Sequence, residues 1–146
     1  MSNNKSIAAI PSWFIYVAFF ALIWNVMGVI AFISQITMTA EMLAKLPQAE
    51  QDLYANIPLW ATIAFAFAVW GGLLGCIALM LKKSIACQLF VLSLIGVCVQ
   101  MFHSFFISNS FDVFGPGGAI MPVMVIIIAI ALVRFSFKAK NRQWLN

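Results

Sequence analysis

Charge is what this 146-residue chain has least of. Only 8% of its residues are Asp, Glu, Lys or Arg, against 64% hydrophobic ones. Soluble domains carry about 25% charged residues, so a water-soluble globular domain is excluded. The four acids, Glu41, Glu50, Asp52 and Asp112, all fall outside the long apolar runs. The chain therefore lacks the buried carboxylate that proton- or sodium-coupled carriers usually place in a span. Histidine occurs once, at His103, which is too few for a closed zinc site or a bis-histidine haem in one chain. Cys76, Cys87 and Cys98 lie within apolar runs and form no CxxC pair. That placement argues against a disulfide framework or a thiol-redox centre and leaves them as small packing residues. No catalytic dyad, phosphate loop or metal-ligand spacing occurs. The expectation is a non-enzyme, with no catalytic residue, no metal and no cofactor.

What the chain does have is four long apolar runs, at 12–33, 58–81, 85–107 and 119–137. A membrane-crossing helix needs about 20 apolar residues, and four of them leave no room for a soluble domain. The expected fold is all-α: one transmembrane domain over 1–146, a polytopic four-helix bundle. The first run exceeds the ~7–15 residues of a signal-peptide core and is followed by no small-residue cleavage site, so it reads as a retained helix.

The segments between the runs alternate in sign. Lys5, then Lys82 and Lys83, then Lys138, Lys140 and Arg142 mark one face; the four acids mark the other, with Lys45 as its only base. Positive charge resists translocation, which predicts an N-in, C-in topology with both termini cytoplasmic. The net charge of +4 suits that topology and anionic headgroups, and no nucleic-acid partner is required to explain it.

Within this frame, Ser12 is a candidate cap for the first helix, and Trp13, Tyr16 and Trp60 sit where aromatic rings favour the membrane interface. The outer segment 35–57 reads as a short amphipathic helical cap in two pieces. Glu41 and Lys45 form an i,i+4 pair in the first, and Pro47 and Glu50 open the second. Lys82 and Lys83 make so short a turn that the second and third helices must form an antiparallel hairpin. Gly115-Pro116-Gly117-Gly118 precedes the fourth helix, Pro122 is tolerable in its first turn, and Arg134 is close enough to the inner end to snorkel.

Two patterns carry candidate function. On the second helix Ala64, Ala68, Gly72 and Cys76 recur every fourth residue, and Gly71 with Gly75 forms a GxxxG. Small residues at this spacing serve close helix contact, within the bundle or between copies. The second pattern comes from depth. At 1.5 Å per residue, Trp24–Asn25 and Trp70–Gly71 each lie about 18 Å along their helices, near mid-membrane. Asn25 needs a partner in hydrocarbon, and Gln100 and His103 lie on one face of the third helix. This predicts a polar layer in which Asn25 bonds Gln100 or an indole of Trp24 or Trp70. Such a layer is either interhelical glue or a ligand site at the midplane, formed by Trp24, Asn25, Trp70, Gln100 and His103.

Pro58-Leu59-Trp60, then Ala68-Val69-Trp70-Gly71-Gly72-Leu73-Leu74-Gly75, and then Ser93-Leu94-Ile95-Gly96-Val97 carry a further signal. With Trp24-Asn25-Val26-Met27-Gly28 and the outer segment 46–54, they make the chain resemble small bacterial four-helix inner-membrane proteins, many of which bear the label sugar transporter. The resemblance implies a multi-pass protein of the bacterial inner (cytoplasmic) membrane. Two function classes follow. One is a homo-oligomeric carrier or passage for a small neutral solute. The other is a non-catalytic accessory or structural subunit, docking a membrane-protein partner through the glycine face of the second helix or the outer cap.

Overall fold

The computed structural model describes residues 9–146, so Lys5 and the proposed position of the N-terminus lie outside the described residues. The described chain is helical, without strands. Its elements are α1 (Ser12–Ile36), α2 (Ala40–Ala44), α3 (Gln48–Ala55), α4 (Leu59–Met80), α5 (Ile85–Phe102), α6 (Ser110–Phe114) and α7 (Ile120–Asn141). A π-helical turn, His103–Ile107, extends α5, and a 3₁₀ turn, Pro116–Ala119, leads into α7. With these extensions, four helices are long and apolar enough to cross a membrane, and they are compatible with a membrane bundle.

Proline and threonine set several of the starts. Pro11, Pro47 and Pro58 hold the N-cap positions of α1, α3 and α4 without a side-chain cap bond. Ser12 is therefore the first helical residue and not the cap. Thr39 caps α2 by accepting from the Met42 amide at 3.2 Å. Pro122 sits in the first turn of α7, where a missing N–H costs nothing.

α4 is the hub. It packs against α1 on one side and α5 on the other, and α7 packs on α5; α1 and α7 share no extensive interface. The small residues of α4 explain its place. A Cβ on Gly75 would lie 2.9 Å from the Phe90 ring, and one on Gly71 would lie 3.2 Å from the Leu89 carbonyl and the Ser93 amide. The contact is reciprocal, because a Cβ on Gly96 would sit 2.6 Å from the Ala64 carbonyl. Ala64 and Ala68 are buried on this face. Ser93 bridges the pair by donating its Oγ–H to the Ala68 carbonyl at 2.5 Å. The glycine face is thus filled by α1 and α5 of the same chain. Of the two uses the sequence allowed for this face, packing within the bundle is the one its close helix contacts serve here.

The chain folds back on itself at the basic end. Gln143 takes a left-handed conformation, which turns Trp144 and Leu145 into the core. Trp144 meets Trp13 and Phe14 edge-on, both at 5.8 Å, and Phe14 stacks on Phe135 at 5.5 Å. Asn146 donates to the Lys82 carbonyl and accepts from the Ser84 amide, both at 2.6 Å. The last residues of the described chain are thereby paired to the α4–α5 turn, and Lys82, Lys83 and the basic last turns of α7 share one end of the bundle. At the other end, acid-bearing α3 and α6 touch each other.

Candidate functional site

α1 and α7 are joined near Phe14 and Phe135 but have no extensive interface elsewhere. The space between them is a cavity of about 380 Å³, walled by all four long helices. Trp24, Asn25 and Gly28 contribute from α1, Val69 from α4, Val97 and Gln100 from α5, and Val125 and Leu132 from α7. Its size falls at the lower end of the ~300–1,000 Å³ typical of small-molecule sites, which are mainly apolar with a few placed polar groups.

Asn25 is the best-defined of those groups. It is buried, and its Nδ2 donates to the Ala21 carbonyl at 2.8 Å and to Cys76 Sγ at 3.4 Å. The polar layer expected from the sequence is therefore not formed by direct bonds. Asn25 is satisfied by its own helix and by a cysteine, and not by Gln100 or by either indole. Its Oδ1 lies over Gly72 in the space a Cβ there would occupy, and it accepts no hydrogen bond among the described residues. Gln100 also lines the cavity, and its amide is unpaired among the described residues.

The other sequence candidates separate by rotation about their helices. Trp24 lines the cavity. Trp70 is 42% exposed on the outer face of α4 and lines none of the cavities described here. His103 is brought into a second cavity, of about 170 Å³, whose wall it shares with Gln100, Ser104 and Tyr54. The residue is buried, and its ring stands edge-on to Trp60 at 5.3 Å between centroids. Gln100 borders both cavities.

No family model, no curated protein and no solved structure matches this chain. The site must be read from its own chemistry. No Asp, Glu, Lys or Arg lines either cavity, so the polar groups offered to an occupant are neutral amides, hydroxyls and one imidazole. Ser93, at the wall of the larger cavity, was not among the sequence candidates. Its signal was present all the same, because it is the only hydroxyl-bearing residue of α5.

Proposed function

We propose that this is an integral membrane protein that binds a small, neutral, largely apolar molecule between α1 and α7, and that it serves as a homo-oligomeric carrier or passage for it. One observation carries the reading: the roughly 380 Å³ cavity with apolar walls, bordered by the neutral side-chain amides of Asn25 and Gln100. An uncharged cavity disfavours ions, since an isolated buried charge is strongly penalised. A free sugar is also a poor fit, because each buried hydroxyl left without a partner costs about 1–3 kcal/mol, and this wall supplies few. The basic end faces the cytoplasm under the positive-inside rule, with α2 and α3 as the cap on the opposite side. On the family resemblance, the membrane is the bacterial inner membrane. Four helices rarely enclose both a site and alternating access, so transport requires at least a dimer.

The competing reading is a non-catalytic subunit with a protein partner. With the glycine face filled inside the bundle, that partner would dock on the outer cap. Native mass spectrometry of the protein, extracted gently from its own membrane, separates the two. A homo-oligomer that retains a small neutral molecule is the expected result. A stoichiometric second protein and an empty cavity would replace the carrier reading with the subunit one.

A further inference from the structure

The His103 cavity has a feature that bundle packing alone does not require. His103 opens the π-helical turn His103–Ile107, closed by the Ser108 amide donating to the His103 carbonyl at 2.9 Å. A π-turn of this kind closes the C-terminal end of the helix. His103 as a residue is more than nine-tenths buried, yet neither ring nitrogen has a hydrogen-bond partner among the described residues. The imidazole therefore borders, with its polar atoms free, a cavity that also presents Gln35, Tyr54 and Ser104.

This small polar chamber adjoins the larger apolar one. Val97 and Gln100 are i,i+3 neighbours on α5, and His103 follows three residues later at the start of the π-turn, so the three pass from one cavity to the next. Val97 belongs to the apolar cavity, His103 to the polar one, and Gln100 to both. We infer that the two cavities hold a single amphiphile. Its neutral, hydroxyl- or carbonyl-bearing head lies against His103, and its hydrocarbon chain runs past Gln100 into the space between α1 and α7. Neither of these two walls carries a charged side chain, which favours a neutral head; Asp52 meets His103 only across a neighbouring pocket beside α3. This inference rests on the ligand-binding reading of the α1–α7 cavity and names the ligand class.

The test uses the full chain in lipid nanodiscs with isotope-labelled histidine. His103 is the only histidine, so its imidazole gives a single set of resonances. Decanol, decane and glycerol are the probes. Decanol is expected to shift the imidazole resonances saturably and to raise the unfolding temperature. Decane should raise the unfolding temperature less and leave the imidazole unmoved, and glycerol should do neither. In His103→Phe, which keeps an aromatic ring beside Trp60, the thermal advantage of decanol over decane should vanish. Stabilisation by decane and decanol alike, with no imidazole shift, would overturn the amphiphile and leave the apolar site standing. An imidazole shift with glycerol equal to that with decanol would also overturn it, by making the polar chamber a separate site. If neither decane nor decanol changes the unfolding temperature, the binding reading of the α1–α7 cavity falls as well.

Discussion

Asn25 and Gly72 share one volume: the Asn25 carboxamide oxygen occupies the space that a side chain on Gly72 would need. The two helices are in register because one residue is large and polar and the other has no side chain. Gly72→Ala is therefore expected to force Asn25 aside, at a cost of about 1–3 kcal/mol, the usual range for overpacking. Asn25→Ala in the same chain should recover much of that loss, because the residues are in contact and their effects are not additive. Unfolding titrations of the four members of the double-mutant cycle in mild detergent measure the coupling. A cycle that sums to zero would contradict the contact.

Asn25 and Gln100 should separate under mutation, although both border the cavity. Asn25→Leu removes buried hydrogen bonds to Ala21 and Cys76. Polar contacts inside membrane bundles average about 0.6 kcal/mol and reach about 1.7, so a loss of stability in that range is expected. Gln100→Leu breaks no bond within the described chain and should leave stability within about 0.5 kcal/mol. It should nevertheless weaken retention of the bound molecule, read as ligand occupancy in native mass spectra. With both substitutions, a carrier loses transport while remaining folded. Unchanged occupancy in Gln100→Leu would assign this residue to packing alone.

Trp144 secures the return of the chain to the α4–α5 turn. Burying a tryptophan and then deleting it in a rigid core costs about 3–5 kcal/mol. Here the segment 143–146 can peel away, so the expected loss for Trp144→Ala is smaller, about 1–3 kcal/mol. The local signature is specific: the amides of Ser84 and Asn146, both hydrogen-bonded across the turn, should exchange with solvent much faster. Protection retained at both amides would show that the backbone pairing holds without the aromatic anchor.

Orientation has a direct test. Cys76, Cys87 and Cys98 are unpaired, so a cysteine-free background needs no disulfide replaced. In that background Asp52→Cys should react with a membrane-impermeant maleimide added to intact cells, and Lys83→Cys only after permeabilisation. The reverse pattern would invert the bundle.

These outcomes divide along the line between local and tertiary information. Chain length, the four apolar runs and the sign of each connecting segment are properties of the residues where they stand. Transfer into hydrocarbon acts on each of them independently, so the four long helices were legible in sequence, as was the hairpin forced by the Lys82-Lys83 turn. The small-residue stripe marked the inward face of α4, but the faces that α1, α5 and α7 turn inward were not legible. A helix in lipid is apolar on every side, so no polar stripe marks its buried face, in contrast to a helix in a soluble protein. Trp24 and Trp70 have comparable depth and the same chemistry, yet one lines the cavity and the other faces outward. Asn25 was recognisable as a residue in need of a partner, but besides the Ala21 carbonyl of its own helix it bonds Cys76, 51 residues away. The return of Trp144 to Phe14 and the break between α1 and α7 likewise depend on how side chains from distant segments fit. Hydrophobicity along the chain determined that four helices form. Their rotation about their own axes, set by small residues such as Gly72 and Gly96 meeting bulk on neighbouring helices, was decided only by packing, and that rotation creates the cavity.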